Sequence, residues 1–167
     1  MDQRSRQRSS SGQVSRWLAT YLRNHASAGR AGVDLFDRAA RSQARRPWGP
    51  ELAALATEVR EDCDTLTGLL RTWGVRPDPF STVALRLGER AGRFKPNGQL
   101  VRRSPLSDLI EVEAGMDAVH AKAGGWRALR AASLPPAPVD LDELLRRADD
   151  QVARLGELHG RVAASVL

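Results

Sequence analysis

The residues that could do chemistry in this sequence are polar side chains at positions where a helical period requires apolar ones. All three histidines, His25, His120 and His159, fall on or beside stripes of apolar residues with steps of three and four, and so do Asp62 and Glu113. Burying a charge without a partner is expensive. Such side chains must therefore pair with one another, bind a ligand, or lie at the edge of the apolar stripe.

A layer of carboxylates and a histidine inside a helical bundle is how di-iron and di-manganese proteins hold their metals. If the second and third helices begin at the same end of a bundle, Asp62 lies level with Met116. The second hairpin then brings Glu113 level with His159. The sequence thus predicts one interior layer, with Asp34 or Asp37 beside it, that would bind iron or manganese through Glu58, Asp62, Glu113 and His159.

The alternative is a structural layer without metal. The usual di-iron signature, Glu-x-x-His on each of two helices, is absent from this chain. Glu–His and Asp–Arg pairs would then hold the helices in register, and Glu113 would bond directly to His159. No Gly-rich phosphate loop, zinc spacing or nucleophile motif is present. Cys63, beside a seam, is interpreted as a small buried apolar residue.

Four long helices must position these residues. The apolar periods and the proline and glycine breaks predict helices over about 13–45, 50–73, 105–132 and from Asp140 onward. Residues 75–103 form a long basic connection that carries a shorter amphipathic helix over 79–94. The fold class is therefore all-α, a four-helix bundle in ferritin-like up-down-down-up order with that long crossover. The first seam is predicted to contain Leu18, Tyr21, His25, Gly32 and Leu35, and the fourth Ala148, Val152, Leu155 and His159.

Positive charge is concentrated near the N-terminus. The first 50 residues contain ten arginines and three aspartates, whereas the remainder contains sixteen basic and seventeen acidic residues, for a net charge of +6. Residues 1–12 bury no apolar surface and are predicted to be a disordered basic tail ahead of a single domain, 13–167. Arg4, Arg6 and Arg8 could contact nucleic acid, although a solvated tail is the simpler interpretation.

The sequence also argues against several classes of protein. No apolar run approaches the length of about 18 residues needed for a membrane span, and the N-terminal segment lacks the apolar region of a signal peptide. Cys63 is the single cysteine, so no intrachain disulfide can form. These features predict a cytoplasmic protein without a membrane span.

Three segments resemble one known family. The motif Tyr21-Leu22-Arg23-Asn24-His25, the Glu61-Asp62 pair within VREDCDTL, and Ser104-Pro105-Leu106 leading to Glu111-Val112-Glu113 are similar to actinobacterial ferritin-like four-helix-bundle proteins without an established activity. The resemblance covers about residues 14–167. It implies a four-helix bundle with a crossover, and the wider ferritin-like group often holds two metals.

Three functions follow from these observations. The preferred one is a structural or interaction bundle with a degenerate metal site and no cofactor, working as a homo-oligomer or with a protein partner. The second is a ferritin-like protein or oxidase that binds iron or manganese. The third is a basic adaptor that binds nucleic acid through its tail and crossover.

Overall fold

The described residues of the computed structural model are 14–76, 104–132, 134 and 138–167. They form four helices and no strand: α1 (Arg16–Ser42), α2 (Gly49–Thr72), α3 (Leu106–Ala131) and α4 (Leu141–Val166). The predicted all-α bundle is confirmed. The predicted basic tail and the predicted helix over 79–94 lie outside the described residues. None of the described helices combines the length and apolar character that a membrane crossing requires.

Local chemistry sets the helix ends. Ser15 begins α1 by accepting a hydrogen bond from the N–H of Leu18, and Asp140 begins α4 by accepting from two first-turn N–H groups. At the end of α2, Gly74 adopts a φ of 68°, a conformation that favours glycine. This allows the N–H of Val75 to reach the carbonyl of Leu70 at 2.8 Å, which closes the helix as a Schellman motif.

Side-chain contacts define the order of the helices. Along α1 and α3, His25 lies against Gly125 and Phe36 against Gly115, so these helices are antiparallel. The short hairpin through Trp48 makes α1 and α2 antiparallel as well. It follows that α2 and α3 run parallel, while α4 runs antiparallel to both. The predicted up-down-down-up order is confirmed.

The apolar interior consists of two clusters. One surrounds Leu22, Leu69 and Trp126 at the end of the bundle where α1 begins, and the other surrounds Phe36, Leu55 and Leu158 at the end of the first hairpin. All of these side chains are 2% exposed or less.

Two of the predicted seams are correct at some positions, such as Gly32 in α1 and Leu155 in α4, and wrong by one residue at others. In α1 the fully buried positions are Leu22 and Phe36 rather than Tyr21 and Leu35. In α4 the buried stripe passes through Gln151 and Leu158, not through their neighbours Val152 and His159. The cause is that each helix packs against two neighbours, so its apolar face is wider than a single seam, and the period alone does not choose between adjacent stripes.

Candidate functional site

Asp62 is the centre of a polar network inside the bundle. Its side chain is 1% exposed, on the α2 seam where the sequence places it. One carboxylate oxygen accepts from the ammonium of Lys122 on α3, and the other accepts from the guanidinium of Arg147 on α4. The amide of Gln151 donates to the same carboxylate at 3.4 Å. Three helices thus meet at one buried carboxylate.

Gln151 connects Asp62 to a second carboxylate. Its Oε1 accepts from Lys122, and its Nε2 donates to Glu58 at 3.0 Å. Glu58 lies one turn before Asp62 on α2 and also accepts from Arg154, with distances of 2.8 and 3.0 Å to its two oxygens. Gln151 itself is fully buried. The amide therefore works as both donor and acceptor, as a buried polar group must.

The charges of this polar layer balance. Glu58, Glu61 and Asp62 lie on α2, and the bases that neutralise them are Lys122 on α3 and, from α4, Arg147 and Arg154. Burial lowers the pKa of Lys122, an effect that its bond to Asp62 opposes. The Nε of Arg147 is buried without a hydrogen-bond partner. Arg154 also pairs with the exposed Asp150 at 3.2 Å. The three carboxylates of α2 are thus matched by three basic side chains, and most of the polar groups are satisfied.

The polar layer separates the two apolar clusters. On α2, Asp62 lies between Val59 of one cluster and Leu66 of the other, and on α4, Gln151 lies between Leu155 and Ala148. A sliding movement of one helix would bring Asp62 against apolar side chains and separate it from its cations. The layer therefore favours one register of the helices over the alternatives.

The α2 and α4 helices face each other through a ladder of ion pairs. Arg147, Arg154 and Arg161 recur every seven residues along α4 and pair with acidic residues of α2. The last of these ion pairs joins Arg161 to Glu51 near the first hairpin. Long side chains thus link these two helices.

Glu113 and His159 form a separate pair. His159 Nε2 lies 3.1 Å from Glu113 Oε1, and the side chains are 35% and 53% exposed. They face each other across α3 and α4, as the sequence predicts. His159 follows Gln151 by eight residues, which corresponds to about 12 Å along the helix. The predicted convergence of Glu58, Asp62, Glu113 and His159 in the interior is therefore wrong. Asp62 is buried and Glu58 is 25% exposed in the polar layer, whereas Glu113 and His159 pair nearer the surface.

The first hairpin explains this difference in height. Gln43 donates to the carbonyl of Asp108 at 3.3 Å, and Arg46 donates to the carboxylate of Asp108 at 2.8 Å. The hairpin is thereby attached to the third residue of α3, so α3 begins about one turn before α2 instead of level with it. Asp62 consequently bonds to Lys122 instead of lying level with the predicted Met116.

The remaining candidates lie elsewhere. His120 is exposed. His25 packs against Tyr21 with ring centroids 4.4 Å apart, and burial lowers its pKa. Cys63 is half-buried against Gly29, and its thiol pKa is raised mainly by burial and also by Asp64, which does not favour a reactive thiolate.

The sequence contained signals for the missing members of the layer. Lys122 is one of only two lysines in the chain, and it follows the seam residue Val119 by three positions. Gln151 lies on the stripe that continues to Leu155 and Leu158. The seven-residue spacing of arginines on α4 matches the Glu51–Glu58 spacing on α2, which is the pattern of facing helices.

The side chains of the polar layer do not form a metal site. Within residues 14–76, 104–132, 134 and 138–167, no group of three or more His, Cys, Asp or Glu side chains is arranged to hold a metal ion. Both oxygens of Asp62 and both of Glu58 already accept hydrogen bonds from cationic side chains. A divalent ion placed between them would be repelled by three positive charges. The donor set does not fit the two-metal centre of ferritin-like proteins.

Comparison of the chain with protein-family models, with curated proteins and with solved structures finds no match.

Proposed function

We propose that this chain is a structural or interaction protein, a non-catalytic bundle with ferritin-like helix order and a degenerate metal site. The observation that carries this proposal is the pairing of Asp62 and Glu58 with Lys122, Arg147 and Arg154. In a metal-binding bundle the interior carboxylates are neutralised by the ions. In this bundle the chain supplies the positive charges itself, so no cofactor is required for the interior to be neutral.

The surface pair supports the same interpretation. Glu113 and His159 offer two ligands, and both side chains are open to solvent. A catalytic metal centre needs three or more protein ligands around one ion. The nearest carboxylate of the polar layer is Glu58, and both of its oxygens already accept from Arg154, which lies five residues before His159, or about 7.5 Å along α4. We therefore assign Glu113 and His159 to the contact between α3 and α4.

Elemental analysis of protein purified without an affinity tag tests the proposal. We expect iron and manganese far below one atom per chain, and the same unfolding midpoint with and without a chelator. The Glu58→Gln and Asp62→Asn variants are the matched controls, because both remove candidate ligands while keeping side-chain size. One or two atoms of iron or manganese per parent chain, absent from both variants, would overturn the proposal in favour of a di-metal protein or oxidase.

The proposal also includes a protein partner or a second copy of the chain. Sedimentation of the purified protein over a range of concentrations tests for the second copy. A monomer at every concentration would leave a different protein as the partner.

A further inference from the structure

All of the arginines of α1 lie on one side of the helix. They recur at steps of seven, seven, eight and three residues, as Arg16, Arg23, Arg30, Arg38 and Arg41. At about 100° per residue these positions fall within an arc of about 80°, and they extend over about 38 Å of the helix. The buried residues Leu22 and Phe36 lie on other sides of the helix. We call this set the arginine face.

The fold does not use most of this charge. Arg16, Arg30, Arg38 and Arg41 are exposed. None of the ion pairs formed among the described residues involves Arg16, Arg30 or Arg41. Arg38 is 53% exposed and approaches Glu111 at 3.9 Å. This contrasts with the arginines of α4 that face α2, each of which pairs with a carboxylate.

The arginine face is the basic side of an otherwise acidic bundle. α1 contains five arginines and two aspartates, and one of these, Asp37, is paired with Arg60 of α2 at 2.5 Å. Asp34 is the single acidic residue within the arc. The other three helices each contain more acidic than basic residues. Among the four described helices, a net positive charge is therefore found on α1 alone, which lies diagonally opposite α4.

We propose that the arginine face binds the phosphate backbone of duplex nucleic acid. A guanidinium group matches phosphate geometry and donates two parallel hydrogen bonds. A duplex carries about one charge per 1.7 Å of axis, counting both strands, so an array of arginines about 38 Å long can contact phosphates where the strands cross it. The proposal is for contacts to the phosphates, which carry no sequence information, and therefore for binding without sequence preference. It goes beyond the proposed function and does not depend on whether the interior binds metal.

Other anionic partners fit this surface less well. A helix that lies on a membrane needs apolar side chains beside its basic ones. Among the described residues of α1, Trp17 is the one large apolar side chain that is strongly exposed, at 71%, and it stands at the end of the helix. An acidic protein surface seldom presents a continuous line of charge about 38 Å long. A nucleic-acid duplex carries phosphates at regular intervals along its whole length.

Fluorescence anisotropy with a labelled 30-base-pair duplex, using the full chain, tests this proposal. About four phosphate contacts predict a slope near −3.6 for log affinity against log salt, so affinity should fall about 100-fold between 50 and 200 mM salt. The variant R16Q/R30Q/R41Q should lose at least tenfold in affinity at 100 mM salt, and its salt slope should become shallower by about 2.7.

Two control variants distinguish binding by the arginine face from binding by the net positive charge of the chain. R127Q/R130Q/R146Q removes the same charge from exposed arginines of α3 and α4 that are paired with carboxylates, so it should change affinity much less. R4Q/R6Q/R8Q removes the charge of the N-terminal tail and should leave measurable, salt-dependent binding. Circular dichroism of each variant should match the parent.

Three results would overturn the inference. Equal losses in R16Q/R30Q/R41Q and R127Q/R130Q/R146Q would show that net charge alone governs binding. Complete loss in R4Q/R6Q/R8Q would assign binding to the tail. Retention on phosphatidylserine vesicles or on polyglutamate, without retention on the duplex, would assign the face to a membrane or to an acidic protein. The metal content would be unchanged in every case, so the proposed function is tested separately.

Discussion

Replacing Lys122 by Met removes the cation that links three helices at the buried layer. Removing one partner of a buried ion pair costs about 3–5 kcal/mol when the remaining charge is left without compensation. Here Arg147 and Gln151 still bond to Asp62, while the Oε1 of Gln151 loses its donor. Lys122 is also 16% exposed, and burial disfavours its charged form. We therefore expect a loss of about 2–3 kcal/mol in the free energy of unfolding.

Urea unfolding, followed by tryptophan fluorescence and by circular dichroism, measures this change. For a chain of this size the same loss corresponds to a melting temperature about 4–12 °C lower. Arg127→Met is the matched control on the same helix, because its pair with Asp149 is exposed on both sides, and its change should stay below about 1 kcal/mol.

A double-mutant cycle tests whether Lys122 acts through Asp62. Asp62→Leu combined with Lys122→Met removes both charges and fills the layer with apolar atoms, while Arg147 keeps Glu61 as a partner at 3.1 Å. The double variant should be more stable than the sum of the single changes predicts, by about 1–3 kcal/mol. A Lys122→Met protein within about 0.5 kcal/mol of the parent, or a coupling energy near zero, would refute the assignment of this layer as the element that holds register.

Three further predictions concern stability. Gly125→Ala places a methyl group 2.9 Å from His25 Nδ1 and should destabilise the protein by about 1–3 kcal/mol in urea unfolding. Gly124→Ala meets no atom within 4 Å and should stabilise it by about 0.5–1 kcal/mol in the same assay. Similar effects of the two substitutions would contradict the contact between α1 and α3. Burial lowers the pKa of His25 below its ordinary 6.5, so the unfolded chain takes up the proton first as pH falls. The free energy of unfolding should therefore decline as the pH falls below 6.5. In unfolding measured from pH 7 to 5, His25→Phe should make this decline shallower. An unchanged dependence of the free energy of unfolding on pH would exclude His25 as its source. Glu113→Leu breaks an exposed pair with His159 and should change stability by less than about 1 kcal/mol, with no effect of added manganese on melting; a loss reversed by chelation or metal would support a metal site instead.

The four helices were predictable because their signals are local. Gly74 adopts the positive φ that ends α2, and Asp140 caps α4, as their residue types indicate. The α2 seam was also predictable from Leu52 to Leu69, because its apolar residues form a single strict stripe that Asp62 alone interrupts. The direction of each helix followed from loop lengths, since a short first hairpin and a long second connection leave few arrangements.

The composition of the polar layer required the tertiary structure. The height of α3 depends on bonds from Gln43 and Arg46 to Asp108, which join residues more than sixty positions apart. No local signal encodes the height of α3 relative to α2. An offset of about one turn replaced the predicted Glu113 and His159 with Lys122 and Gln151. The sequence by itself determined which side chains had to be compensated inside the bundle. The packing of α1 against α3 decided which ones compensate them, because partner choice depends on the relative height of separate helices.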